Sequence, residues 1–498
     1  MVPPALIRAL EAQDQKQHEA ALRHFNEAIA AQPTNWVAYT GLGNSLRALK
    51  HLDAAIASYT KAVEVAWREP KAWTQLGFGF HAQGRVDEAL LCLSHAAKLD
   101  PISADSQNNV AVVALAAERY FEAERAARRA ISADPSHVRG TINLGRSLKE
   151  QGRLDEAEGV YRRALAVAPQ DPDARWNLGL LLMMTGRWEE GWRHYELRSG
   201  IPGQPAVAPY APVWTGQRMN GEKLLVQAEK GFGDTIQFAR YLHLLKTTAG
   251  AGSVILECRP QLVTLMSRCA GADTVVPGGG PLPHFDLRVP MMSLPLLLGT
   301  PDPAATAVSS YLTADPALVD AWRTRLRHGV APTAVRRKIG IAWQGNTEYL
   351  ADHHRSIPLA KFVPLLRRAR DLGFDIFSLQ KGYGSDQLAA LPPDVAVEDL
   401  SRVLDEGQGG AFVDTAAVIS DLDLVITSDT AIPHLAGALG TPVWMLLSHL
   451  PDWRWGTGGV TSPWYPQLRI FRQRQPGDWS GVFNDVIAAL ATVNGRHK

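Results

Sequence analysis

Cysteine is almost absent from this 498-residue chain: Cys92, Cys258 and Cys269 stand alone, none at a CxxC spacing. That spacing indicates neither a disulfide framework nor a cysteine-based zinc site. An excess of one charge is missing too. The net charge is +1, which argues against a dedicated nucleic-acid binder. No apolar run reaches the roughly 18 residues that a membrane-spanning helix needs, so no membrane span is expected. The opening stretch, MVPPALIRALEAQ, lacks the basic region and apolar core of a secretory signal. The expected compartment is therefore the cytoplasm. What remains is an ordinary globular mixture, 46% hydrophobic and 20% charged. Its length predicts two to four domains.

The first two hundred residues repeat. Pro33, Trp67, Pro101, Pro135 and Pro169 are spaced by 34 residues, as are Gly43, Gly77, Ala111, Gly145 and Gly179. Leu42, Leu76, Val110, Leu144 and Leu178 keep the same period. So do Ala21, Ala55, Ala89, Ala123 and Ala157, and a second alanine column, Ala28, Ala62, Ala96, Ala130 and Ala164. Phe25, Tyr59, Leu93 and Tyr161 fall at a further fixed phase. Small residues belong where helices approach closely, and bulky ones fill the space between. Proline ends each unit because it cannot continue a helix interior. These columns resemble tetratricopeptide (TPR) repeats over residues 1–198. The first unit reads as a lone second helix, His18 to Ala31, and the last reads as a cap. A solenoid of this kind offers a surface for another polypeptide; a spacer or dimerisation arm is the alternative.

Residues 199–221, SGIPGQPAVAPYAPVWTGQRMNG, read as a linker wrapping a surface, anchored by Trp214. Beyond them, short apolar runs alternate with helical stretches. One series lies at 223–229, 253–258, 274–277 and 285–290. A second lies at 337–345, 375–382, 422–429 and 442–447. Buried parallel strands read this way, and the alternation predicts two Rossmann-like domains. The expected division is 222–320 for the first and 321–498 for the second. Ligands bind at the carboxyl ends of such strands.

Three strand ends stand out. In QAEKGFGDTIQFARYLHLL, Gly231 and Gly233 allow a tight turn and close approach to a ligand. Asp234 follows at a helix start, where it either caps the helix or does chemistry. In IAWQGN and HHRSIPL, Gln344 and Asn346 suit hydrogen bonding to a nucleotide or sugar, and Arg355 suits a phosphate. The adjacent His353 and His354 point in different directions and do not read as a metal pair. In ITSDTAIPHLAGALGTPVWMLL, a strand ends near Asp429, and Thr430 and Ala431 open a helix whose free N–H groups favour phosphate. His434 lies one turn in and adds a hydrogen bond or a charge.

Together these stretches, with SLQKG, DTAAVISDLDLVITSDTAIPHLAGALGTPVW and PDWRWG…SPWYPQLRIFRQ, resemble TPR-coupled bacterial glycosyltransferases. The catalytic half is distantly like the heptosyltransferases, over residues 220–490. The resemblance implies a GT-B architecture and an inverting transfer. It implies Asp234 as catalytic base, and Asp429, Thr430, Ala431 and His434 as holders of the donor diphosphate. Lys381 is a further candidate near the donor. Many relatives carry a smaller residue where this chain has Pro433. GT-B enzymes use helix dipoles and side chains where other transferases use a metal, so no metal and no cofactor are expected. The DLD at 421–423 reads as a helix–strand junction. The final helix, 479–493, has Val482, Phe483, Val486, Ile487 and Leu490 on one face. In GT-B folds such a helix often crosses back to the first domain. Asp452 and Arg454 of PDWRWG are placed to line the cleft, whereas Trp453 and Trp455 read as core.

The reading that follows is a transferase moving sugar from a nucleotide-sugar donor to a polypeptide held by the repeats. TPR-coupled flagellin glycosyltransferases are the nearest analogy, which makes flagellin one candidate acceptor. The alternatives are a non-catalytic TPR scaffold with a nucleotide-sugar-binding domain, and a transferase acting on a saccharide or lipid.

Overall fold

A computed structural model of the chain describes residues 3–200, 212–229, 231–327, 336–349, 351–407 and 409–493. They form two compact units, Met1–Leu181 and Leu182–Lys498.

The first unit is made of paired helices: α1 (Pro4–Asp14) with α2 (His18–Ala31), α3 (Trp36–Ala48) with α4 (Leu52–Val65), α5 (Pro70–Ala82) with α6 (Val86–Leu99), α7 (Ala104–Ala116) with α8 (Tyr120–Ala133), and α9 (Val138–Glu150) with α10 (Leu154–Val167). The repeat columns are its core. Ala21, Ala55, Ala89, Ala123 and Ala157 are fully buried, as are Phe25, Tyr59, Leu93 and Tyr161. The small column faces the bulky one: a Cβ on Gly145 would lie 2.4 Å from the Tyr161 ring. The first repeat is complete, not a lone second helix. In α1 the 34-residue column brings Ala9 to the glycine phase but Arg8 to the leucine phase, which hides the pattern. Leu6, Ala9 and Ala12 nevertheless pack on Ala21, Phe25 and Ala28.

Helix α11 (Pro172–Met184) runs across the division, and α12 (Trp188–Tyr195) belongs to the second unit. The columns continue through Gly191 and Tyr195, then break where Arg198 replaces alanine. Trp192 explains the allegiance of α12. It is fully buried, meets Phe238 and Trp453 edge-on, and donates from Nε1 to Pro301 O at 3.0 Å. Of the expected linker, residues 201–211 lie outside the described residues. Val213 forms a parallel bridge to Arg288, and Trp214 is buried with its Nε1 bonded to Gln217 O.

The second unit holds two parallel sheets. The first contains β1 (Lys223–Gln227), β2 (Ser253–Cys258), β3 (Thr274–Pro277) and β4 (Leu287–Pro290), in the order β3-β2-β1-β4. The second contains β5 (Arg337–Ala342), β6 (Phe374–Ser378), β7 (Glu398–Asp399), β8 (Leu424–Ser428), β9 (Val443–Leu447) and β10 (Leu468–Arg472), in the order β10-β9-β8-β5-β6-β7. The central strands β8 and β9 are buried at every residue, as continuous apolar runs in a parallel sheet require. Strand β10 escapes the sequence pattern because Arg469 and Arg472 interrupt its apolar run.

The helix Pro316–Arg325 straddles the expected boundary at 320. It packs beside the second sheet, with Trp322 Nε1 donating to Asp414 at 2.8 Å. The last helix, Trp479–Val493, stays with that sheet too. Val482, Phe483, Val486 and Leu490 enter its core, and Phe483 meets Phe362 at 4.8 Å. Among the described residues, the helix's apolar face is engaged by the core of the second sheet. Asp421 and Asp423 hold the start of β5 through Lys338, at the opposite end of the strands from the candidate site. Among the described residues, no helix is long and apolar enough to cross a membrane.

Candidate active site

The glycines after β1 supply no left-handed turn. Gly231 is extended (φ −70°, ψ 178°), and Gly233 is not left-handed. A Cβ on Gly233 would lie 3.1 Å from His434 Cδ2 and 3.5 Å from Ala431 Cα. Its smallness therefore lets the helix Phe232–Phe238 approach the start of the helix Ala431–Leu439, and no left-handed turn is needed. Asp234 is the third residue of the first of these helices. Its Oδ2 accepts from the Gly231 backbone N–H at 2.9 Å, so it caps the helix. Its Oδ1 accepts from Arg454 NH2. The side chain keeps 24% of its surface exposed. Capping therefore uses one oxygen and an ion pair uses the other.

Arg454 lies in the loop after β9 and is largely buried. Its Nε donates to Gln237 Oε1 at 2.7 Å, and its NH1 donates to Asp452 Oδ1 at 2.8 Å. Burial alone would lower its pKa, but Asp452 and Asp234 outweigh burial and raise it. The guanidinium is thus a permanent cation spanning the loops after β1 and β9. Trp464 Nε1 donates to Arg454 O at 2.9 Å and fixes the same loop from behind.

At the end of β8, Thr430 caps the helix Ala431–Leu439, its Oγ1 accepting from Ile432 N at 3.3 Å. Ala431 is the first residue of that helix. Asp429 precedes the cap and is half-buried. Burial and the Asp452 charge push its carboxyl up to about 6, against the pull of Arg355 and Arg454. Trp455 Nε1 is close enough to lower the Asp429 pKa but not in hydrogen-bond geometry. His434 is buried, with Nδ1 3.0 Å from Tyr465 Oη and its ring stacked on Trp455. Burial, then Arg454, Arg240 and Arg355, hold its pKa well below the usual value. It contributes a neutral ring, not a charge.

After β5, the polar residues are engaged with one another. Gln344 Oε1 accepts from Gln387 Nε2 at 2.8 Å, and its backbone exchanges two hydrogen bonds with the Gln380 amide. Asn346 is exposed and turns its Oδ1 to Glu348 N at 2.9 Å. Arg355 donates from Nε to the buried Asp352 at 3.0 Å and lies 4.6 Å from the Tyr349 ring centroid. Lys381 is tied to Leu404 O and to Glu406 at 2.8 Å.

The structure thus brings Asp234, Asp429, Thr430, Ala431 and His434 together with Arg355 in electrostatic reach. Gln344 ties its loop to the segment after β6, Asn346 serves its own loop, and Lys381 bonds Leu404 and Glu406. The sequence reading missed how Arg240, Gln237 and Tyr465 support the group. Arg240 is fully buried against the Tyr311, Trp464 and Tyr465 rings. It also missed Arg198, which binds Glu229 in a fork at 2.9 Å and Ser293 Oγ at 2.9 Å. Glu229 in turn accepts from Met292 N at 3.1 Å, which anchors the chain entering the Gly231 loop. Arg198 falls in the alanine phase of the repeats, and that break in the column was the available signal.

A family profile described as the Cilia and flagella-associated protein 70 C-terminal domain matches residues 6–197. Protein FlbA of Caulobacter vibrioides is 28% identical over 328 residues, 60% of this chain and 52% of that protein. The chain therefore spans about half the length of this curated relative. The matched share exceeds what the first unit occupies, so the similarity continues into the second. Among solved structures, MamA is 21% identical with a TM-score of 0.30, covering 33% of this chain and 91% of its own. PilW, described as a widely conserved type IV pilus biogenesis factor, is 16% identical with a TM-score of 0.36, covering 40% and 91%. YrrB, described as a TPR protein with an unusual peptide-binding site, is 21% identical with a TM-score of 0.29, covering 36% and 92%. The chain carries an N-terminal TPR solenoid followed by an α/β region of parallel sheets.

Proposed function

We propose that the second unit is a glycosyltransferase of GT-B type, inverting and metal-independent, and that the repeats recruit a polypeptide acceptor. The observation that carries the reading is the meeting of Asp234, after β1 of one sheet, with Arg454 and the Asp429–His434 segment, after β9 and β8 of the other. In this reading an acceptor hydroxyl oxygen attacks the anomeric carbon of a nucleotide-sugar. The bond from that carbon to phosphate oxygen breaks, and the nucleoside diphosphate leaves with the electron pair. The hydroxyl proton passes to Asp234. Charge on the leaving phosphate is met by Arg355, Arg454 and the free N–H groups at the start of Ala431–Leu439. Neutral His434 packs beneath that helix start without adding charge.

A second reading has its own support. Both oxygens of Asp234 are engaged, as in a residue that only holds structure, which fits a non-catalytic scaffold that binds a nucleotide-sugar. The test is release of nucleoside diphosphate from a panel of nucleotide-sugars by the purified full chain in EDTA. Release supports the transferase. Binding without release supports the scaffold, and activity that EDTA abolishes and Mn²⁺ restores rejects metal independence. Modification of a polypeptide acceptor by a protein lacking residues 1–198, as efficiently as by the full chain, would reject recruitment by the repeats.

A further inference from the structure

Arg454 has one edge held by a buried amide and one edge held by two part-exposed acids. Its Nε is held by Gln237, which is fully buried. Its NH1 and NH2 point to Asp452 and Asp234, whose side chains keep 34% and 24% exposure. That second edge is the two-pronged face with which a guanidinium grips a phosphate. Beside it stands a third carboxylate, Asp429, at the cap of the helix Ala431–Leu439. Trp455 Nε1 and Ser428 Oγ, both fully buried, have no hydrogen-bond partner at this strand end. Two of the site's cations are tied to acids, Arg454 to Asp234 and Asp452 and Arg355 to Asp352. With Oδ2 on the Gly231 N–H and Oδ1 on Arg454, Asp234 has no unengaged oxygen to offer an acceptor hydroxyl.

We propose that the Asp234–Arg454 pair is exchangeable: Arg454 leaves Asp234 for the phosphate oxygens of a nucleoside diphosphate, and that exchange frees Asp234 to accept a proton. This rests on the transferase reading. Rotation about the Gln237-held edge carries NH1 and NH2 to the ligand while the loop stays fixed by Trp464. Donor binding then precedes proton abstraction, and base and donor site are coupled through one side chain. Asp234 and the ligand compete for the same cation, so removing the Asp234 charge must strengthen ligand binding.

The experiment is calorimetric titration of the full chain with UDP, GDP, ADP and CDP, without divalent metal. Asp234→Asn is expected to bind the preferred diphosphate about 3–10-fold tighter than wild type, with Asp234→Ala as a second variant. Arg454→Gln is expected to bind about 10–100-fold weaker. The double variant should match Arg454→Gln, because the gain passes through Arg454. Thermal melts identify folded variants, and either Asp234 variant suffices. Unchanged or weaker binding by folded Asp234 variants, or a gain that survives in the double variant, overturns the exchange and leaves the transferase reading standing. Wild type that binds none of the four diphosphates overturns both.

Discussion

Asp234 and Arg454, 220 positions apart in the chain, form an ion pair that joins the loop after β1 to the loop after β9. The pair places a carboxylate from one parallel sheet against a cation from the other. Around it, the protein sets charges whose environments differ, and those differences can be measured.

Asp429 should make stability depend on pH in an unusual direction. Its folded-state pKa of about 6 lies above the ordinary carboxylate value. The native state therefore holds a proton that the unfolded chain has released. That contribution is complete below about pH 4 and is lost as pH rises through about 6. The groups that set it are Asp452, Arg355, Trp455 and Arg454. Asp429→Asn should match wild type near pH 4 and become more stable by about 1–3 kcal/mol at pH 7. Chemical denaturation at both pH values checks this; a difference that does not change with pH contradicts it.

His434 should behave in the opposite sense. Its folded-state pKa is depressed, so it costs no stability above the unfolded value of about 6.5 and costs progressively more as pH falls below it. Its imidazole resonances should stay those of the neutral ring from pH 8 down to 5.5. A titration midpoint at or above 6.5 would contradict the assignment.

Arg198 should be a stability residue. Only 4% of its side chain is exposed and it faces Glu229, itself 9% exposed. Burial alone would lower its pKa; Glu229, then Glu196, reverses that. Arg198→Ala leaves Glu229 buried without its cation, at a cost of about 3–5 kcal/mol. Denaturant unfolding followed by tryptophan fluorescence measures it, and a loss below about 1 kcal/mol would show the fork to be dispensable.

Two glycines of the repeats should respond oppositely to alanine. Gly145→Ala forces a methyl group against the buried Tyr161 ring and should cost about 1–3 kcal/mol. Gly159, inside α10, has open space at its Cβ position and should gain about 0.5–1 kcal/mol. Thermal melts of the two variants decide it; similar shifts would contradict the packing account.

The repeats were legible because one helical hairpin recurs, so each structural requirement appears several times at a fixed period. Only α1 was hidden, where Arg8 occupies the leucine phase. The central strands were legible as unbroken apolar runs; β10 was not, since its arginines break the run. At the site, the sequence located the strand ends but not the bonds across them. It named Asp234 and His434, yet nothing local reveals that Asp234 meets Arg454 or that burial keeps His434 neutral. Those facts depend on the approach of two helices that Gly233 permits. Gln344 and Asn346 look like ligand groups in a polar loop, but Asn346 satisfies its own loop's backbone and Gln344 bonds Gln387, 43 positions away.

The most direct measurement compares turnover by wild type and Asp234→Asn on the nucleotide-sugar that wild type consumes. Asparagine keeps the size and the helix cap but cannot take the proton. Turnover per folded molecule is expected to fall by about 10²–10⁴, with diphosphate binding no weaker than wild type. Near-wild-type turnover in a folded Asp234→Asn protein would contradict the assignment of Asp234 as the base.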